Sequence, residues 1–271
     1  MENAECVAFL RWSLPRLQLR WEGFRKVRRQ VCRRIQRRLH ELGLPDAEGY
    51  RAYLATHPEE WLWLDTACRI PISRFYRNRG AFESLAENVL PLLARRVEEA
   101  GEGELRCWSA GCASGEEPYS LALIWALRLQ SQFSGLSLRI FATDVDAHLL
   151  ARARNAAYGA SSLKDLPDDW VERAFERSNS LFCLRSEFRR DVEFRLEDIR
   201  KEAPGERFHL ILCRNMAFTY FADAPQERVA ALLRESLEPG GILMLGSHEE
   251  LPVAVRGLSA LAGHAGIYQK L

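Results

Sequence analysis

The chain has 271 residues, 28% of them charged, and a net charge of only +1. That length allows one large domain, a small one and an ample core, and the charge balance excludes a nucleic-acid binder that works through a global positive field. Seven cysteines (Cys6, Cys32, Cys68, Cys107, Cys112, Cys183 and Cys213) form no Cys-x-x-Cys pair, which reads as free thiols in a reducing compartment, not as a disulfide framework or a zinc site.

The chain opens with Glu2 and Glu5 ahead of a short apolar run, the wrong sign for a signal peptide. No window approaches the roughly 18 apolar residues of a membrane span, so a cytoplasmic protein with no membrane insertion is expected. Between Arg25 and Arg38, RKVRRQVCRRIQRR holds eight Arg or Lys and no acid. Phe24, Val27, Val31, Ile35, Leu39 and Leu42 recur at spacings of three and four, one face of an amphipathic helix. The basic residues form its other face. That face is either a solvated surface or a site for an acidic protein or a phosphate backbone. A turn at ELGLPDAEGY and a second helical stretch to about Asp65 complete a helical domain over residues 1–80.

From about residue 81 the pattern alternates. FESLAENVLPLLARRVEEA reads as a helix, ELRCWSA as the first strand and EEPYSLALIWALRLQSQF as the next helix. LSLRIFATDVD is a strand and AHLLARARNAAY a helix; FHLILCRNM is a strongly apolar strand, followed by the helix APQERVAALLRESL. GGILMLGS and GHAGIYQKL are the last strand-like runs. Such alternation implies a mostly parallel sheet covered by helices, with ligands bound beyond the carboxyl ends of its strands.

The turn after the first strand, WSAGCASGEEPYS, permits close backbone approach at Gly111 and Gly115. It lacks both the strict G-x-G-x-x-G and the phosphate loop, and its adjacent acids, Glu116 and Glu117, would repel a pyrophosphate. They suit a cationic ligand. Asp144, after the second strand, stands where an acid accepts hydrogen bonds from a ribose diol. A ribose joined to a cationic amino-acid end, without phosphate, describes S-adenosylmethionine. Glu116 is expected to be a solvated first-turn acid, and Asp146 a helix cap.

WSAGCASGEEPYSLAL, ATDVDAHLLARAR, LCRNMAFTYF and CRIPISRFYRNRGAF together resemble the CheR-type chemotaxis receptor methyltransferases, which are S-adenosylmethionine-dependent protein-glutamate O-methyltransferases. The likeness runs from about Phe24 to the end, with the motifs in family order. It implies an α/β fold: a Rossmann-like class I methyltransferase domain with a mostly parallel seven-stranded sheet over residues 81–271, a small N-terminal all-α domain, and a small antiparallel β insertion at 175–194.

Carried over position by position, the resemblance places Glu117 on the methionine-end ammonium and Asp144 on the ribose. Asp198 and Ile199 fall at the adenine, Asn215 and Met216 line the cofactor, and Ser73 and Arg77 close the pocket beside Gly111. Arg77 is then the group that positions the incoming carboxylate, and Tyr220 packs beside the transferring methyl. A glutamate carboxylate, with an ordinary pKa of about 4.3, is already a nucleophile at neutral pH, so alignment is expected to replace a general base.

The chain departs from the family pattern at Pro71, at one extra residue before Tyr220, and in the order of Ser247 and His248. The segment 175–194 contains no glycine, and its turn near Ser178–Ser180 is too short for the loop that captures a receptor tether in some members. Recognition of an acidic helical substrate, a chemoreceptor-like signalling domain, then falls to Arg28, Arg29, Arg33 and Arg37. The alternatives are a same-fold methyltransferase acting on another protein or small-molecule carboxylate, and a non-enzymatic S-adenosylmethionine-binding regulator. The six histidines show no paired ligand spacing, so no metal is expected. Nor is a nucleic-acid partner, and the protein is expected to be a monomer.

Overall fold

The apolar spacing of the first third folds into short helices: α1 (Asn3–Ser13), α2 (Trp21–Phe24), α3 (Arg28–Glu41), α4 (Ala47–Thr56) and α5 (Glu60–Cys68). The structure is a computed structural model that describes residues 3–261 and 265–271, so Glu2, and Gly263 and His264 of the expected last strand, lie outside the described residues. The α3 face that carries Val31, Ile35 and Leu39 is buried, as are Phe9, Leu10, Tyr50 and Leu64. Phe24 is buried too, but on α2, because α3 begins only at Arg28.

Two of the eight basic residues turn inward, so the cationic face is narrower than expected. Arg34 donates to the carbonyls of Ala67 and Arg69 at 2.8 and 2.6 Å. Arg38 grips Glu60 through two bonds of 2.8 and 2.7 Å, and the Tyr50 hydroxyl gives Glu60 a third at 2.7 Å. Arg28 is half-buried and donates to the Arg25 carbonyl, whereas Arg29, Arg33 and Arg37 are exposed. The reading of all seven cysteines as thiols is also corrected: Cys6 on α1 and Cys32 on α3, with Cα atoms 6.0 Å apart, form a disulfide. Two cysteines 26 residues apart on different helices leave no spacing signature in a sequence.

The helical unit ends at Pro71, not at residue 80, and takes in Thr219–Gln226. Phe75 and Tyr76 explain the earlier boundary. Both are fully buried, packed edge-on against Phe175 and Trp170 within the larger unit. The return segment is held by a bridge between Leu19 and Phe221 and by the Arg20 amide on the Tyr220 carbonyl at 2.9 Å.

The larger unit, Ile72–Phe218 with Glu227–Leu271, starts with α6 (Arg79–Ser84). This helix passes through a π-helical turn at Leu85–Val89 into α7 (Leu90–Glu99). There follow β1 (Glu104–Ala110), α8 (Glu116–Ile124), β2 (Ser137–Asp144), α9 (Ala147–Asn155), β3 (Ala157–Gly159), α10 (Ala160–Leu163), α11 (Asp168–Ala174), β4 (Phe175–Ser178), β5 (Leu181–Leu184) and β6 (Val192–Leu196). The chain closes with β7 (Phe208–Cys213), α12 (Ala217–Tyr220), α13 (Asp223–Ser236), β8 (Leu237–Leu245), β9 (Leu258–Ala260) and β10 (Ile267–Lys270).

The main sheet runs β6-β2-β1-β7-β8-β10-β9, with only β10 antiparallel to its neighbours. Its central strand β7 is buried at every residue, as a parallel strand covered on both faces must be. This is the expected mostly parallel seven-stranded Rossmann-like sheet. The insertion is an antiparallel sheet in the order β3-β5-β4, with a two-residue turn at Asn179–Ser180. Its bounds differ from the expected 175–194. Tyr158, expected in a helix, belongs to it, while Val192–Leu196 pairs in parallel with β2.

Candidate active site

The carboxyl ends of β1, β2, β6, β7 and β8 carry the turns that hold nearly every candidate residue. Strand order reverses around β1, whose neighbours are β2 and β7, and such a reversal opens a crevice at the strand ends. The β1 turn is sewn to β2: the amides of Gly111 and Cys112 donate to the Thr143 carbonyl at 2.8 and 3.0 Å. Asp144 extends that seam. Its Oδ2 accepts the Ala113 amide at 2.8 Å and its Oδ1 the Asp146 amide at 2.9 Å. Asp146 caps α9, accepting from the amides of His148 and Leu149.

Glu116 and Glu117 part company at the start of α8. Glu116 is 2% exposed, not solvated, because Ser114 donates its hydroxyl to both carboxylate oxygens at 2.9–3.0 Å. Glu117 faces the strand ends. The Ser109 hydroxyl gives its Oε1 a bond of 2.8 Å, and Arg214 Nη1 lies 3.2 Å from its Oε2. Burial lifts the Glu117 carboxyl above its ordinary range, opposed by Arg214, the Ser109 hydroxyl and the charge of Arg77.

Arg214 is the residue of this cluster that sequence reasoning passed over, although a lone Arg directly after a strongly apolar strand was the signal. Its side chain is 1% exposed. It donates to the Arg77 carbonyl at 3.0 Å and lies 4.9 Å above the Phe82 ring. Arg77 itself sits in a sharply turned loop between Tyr76 and Asn78, at φ +56° and +65°, and donates to the Ile72 carbonyl at 2.5 Å. Ser73 is half-buried in the same segment. Both residues belong to the larger unit, not to the helical one.

Gly111 holds φ +75°, a left-handed conformation that favours glycine, and a Cβ there would stand 2.7 Å from Met216 Cε. Asn215 precedes Met216 at φ +55°. Ile199 is 8% exposed. Burial raises the Asp198 carboxyl, but three hydrogen bonds from the Arg200 guanidinium and one from its amide outweigh this and bring it below the usual carboxylate range. Tyr220 ends α12 and belongs to the helical unit, its ring 5.1 Å from Phe24.

Residues 72–265 match the profile of the family described as "CheR methyltransferase, SAM binding domain". The chain belongs to the CheR methyltransferase family. It is 33% identical over 242 residues to the "Uncharacterized 104.1 kDa protein in hypE 3'region" of Rhodobacter capsulatus, covering 89% of this chain and 25% of that one. It is 32% identical over 182 residues to the "Chemotaxis protein methyltransferase" of Listeria monocytogenes, covering 67% of this chain and 66% of that one. Its identity to the Salmonella typhimurium protein of the same description is 34% over 244 residues, 86% and 79% of the two chains. The chain therefore spans a quarter of the first relative and about two thirds of the second.

S-adenosylmethionine is the ligand of that domain, and the donor set fits it. Glu117, whose carboxyl burial lifts above its ordinary range, gains from an ammonium, which favours the charged form. Asp144, pinned by two amides, sets an acceptor group of the kind a diol meets at the end of β2. The β1 turn offers no lysine for a phosphate. Among the described residues no helix is long and apolar enough to cross a membrane.

Proposed function

We propose that this CheR-family chain methylates glutamate side-chain carboxylates of a protein, a chemoreceptor-like signalling domain. The observation that carries the reading is the line Ser109–Glu117–Arg214, in which the Glu117 carboxylate meets a buried guanidinium that also holds the backbone carbonyl of Arg77. Glu117 takes the ammonium and Asp144 the ribose hydroxyls, while Asp198, Ile199, Asn215, Met216, Gly111 and Ser73 surround the base and the thioether chain. When bound, S-adenosylmethionine supplies a methyl group on a sulfonium. Arg77 meets the incoming carboxylate with its planar fork, and no residue need remove a proton because the carboxylate is ionised at neutral pH.

The exposed arginines of α3, Arg29, Arg33 and Arg37 with Arg28 beside them, suit an acidic helical target. The two-residue turn at Asn179–Ser180 leaves little room for a receptor tether, which moves recognition onto that helix. The test is methyl transfer from labelled cofactor to receptor-bearing membranes, read as methanol released by base. Base-labile label that needs receptor is the expected result. Tight cofactor binding with no transfer to receptor or to any other carboxylate acceptor would overturn the reading. Reversing Arg29, Arg33 and Arg37 to Glu should abolish transfer and leave cofactor affinity unchanged; full activity would show that recognition lies elsewhere.

A further inference from the structure

The turn after β8 carries a buried glutamate to which none of the roles above applies. Glu249 is 5% exposed, and its carboxylate accepts three backbone N–H groups from two different loops. Oε2 takes the amides of Asn215 at 2.6 Å and Gly246 at 2.8 Å, and Oε1 takes that of Met216 at 3.1 Å. The Glu249 amide in turn closes a tight turn on the Gly246 carbonyl at 2.9 Å. Space is as restricted as the bonding. A Cβ on Gly246 would stand 2.8 Å from Glu249 Oε2 and 2.9 Å from Asn215 Oδ1.

Asn215 is the residue that most needs such support. At φ +55° its backbone is left-handed, a conformation that a non-glycine residue keeps only where the surroundings impose it. The same peptide segment sets Met216 against Gly111. A carboxylate suits the task because it accepts several bonds at once, and charge-assisted N–H bonds are shorter and stronger than neutral ones.

We propose that Glu249 is a positioning residue of the cofactor site: by gathering the amides of Asn215, Met216 and Gly246 it fixes the left-handed turn that presents Asn215 and Met216 beside Gly111. The proposal rests on the reading of that turn as part of the cofactor site. Glu249 touches none of the reacting atoms and acts through the backbone. A glutamine in its place keeps the shape but offers one acceptor oxygen and directs an NH2 group at amides that already donate. An aspartate keeps the charge one methylene further back.

The test is calorimetric titration of the full chain with S-adenosylhomocysteine. E249Q should bind about tenfold more weakly, the loss expected when charge-assisted bonds to backbone amides are removed, and E249D should fall between it and the wild type. G246A, which keeps the carboxylate but intrudes on it, should weaken binding to a similar degree. Since both changes displace the same turn, the double variant should be no more than about twofold worse than the weaker single. In nitrogen-15-labelled protein the amide protons of Asn215 and Met216 should move upfield in E249Q, a signature that a general loss of stability does not produce. Wild-type binding with unchanged affinity in E249Q overturns the proposal, as do losses that multiply in the double variant. If E249Q does not fold, E249D gives the same reading, and wild-type affinity in it counts against the proposal. Failure of the wild-type chain to bind overturns the cofactor reading itself, and the proposal falls with it.

Discussion

Glu60 in the helical unit and Glu117 in the larger one are both inward glutamates that face an arginine, yet their surroundings push their protons in opposite directions. Glu60 receives two bonds from Arg38 and one from Tyr50. The Arg38 bonds outweigh burial and hold its carboxyl below the ordinary range. Glu117 receives one hydroxyl and one longer contact to Arg214, and burial wins, lifting its carboxyl above that range. A carboxylate that serves the fold is saturated with donors. One that serves a ligand is left short of them, and the shortfall is what a cationic group can supply.

The largest effect expected is on turnover. Arg77→Ala should lower kcat about a hundredfold, the scale on which loss of one donor to a reacting oxygen is felt, and shift S-adenosylhomocysteine affinity by less than about threefold. Steady-state methylation and calorimetry on the same variant check this. Equal losses in both would place Arg77 with Glu117 and Asp144 as a cofactor residue.

Next comes the stability of the saturated pair. Glu60→Gln should cost roughly 3 kcal/mol, the low end for breaking a buried ion pair, since the Arg38 side chain keeps 24% exposure. Denaturant unfolding followed by helical circular dichroism reads it. The same substitution at Glu117 should weaken S-adenosylhomocysteine binding about tenfold, through loss of a charge-assisted bond, but cost less stability than Glu60→Gln, because burial there already favours the uncharged form that glutamine mimics. Should Glu117→Gln destabilise the chain more than Glu60→Gln does, the contrast between the two sites is wrong.

The smallest effect is the pH dependence, and the two signs differ. Glu60, with its folded pKa depressed, adds stability that is present above the unfolded carboxylate value of about 4.3 and is lost as pH falls through the folded value. Glu117, with its folded pKa raised, adds stability that is present below about 4.3 and is lost as pH rises through the folded value. Melting curves between acid and neutral pH should therefore show the gap between wild type and Glu60→Gln closing toward acid. The wild type should lose ground to Glu117→Gln as pH rises. Parallel curves would remove the distinction.

The part of the site that was legible in the sequence is the part built from short-range signals. An apolar strand, two glycines and an acid pair announce the β1 turn, and ATDVD announces Asp144, because strand, turn and helix cap lie within a few residues of one another. Glu249 was not legible as a support for Asn215. It acts on backbone amides more than thirty positions earlier, and every residue but proline has such an amide, so no side-chain pattern marks the pairing. Glu116 looked solvated for a related reason: a first-turn acid and a buried acid capped by Ser114 share one local spelling. The edge strand Val192–Leu196 was assigned partly to the insertion because VEFRL alternates, as a hairpin strand does, although its partner β2 is parallel.

Cys112 lies in the β1 turn, 1% exposed, between Gly111 and Glu117. Burial, with the Asp144 and Glu117 carboxylates nearby, raises its thiol well above the ordinary cysteine value. An ionised sulfur is a stronger nucleophile toward carbon than any carboxylate. Packed with Ala142 and Leu150, the Cys112 thiol is kept toward its protonated, unreactive form, so the sulfur in the middle of this turn serves as apolar filling.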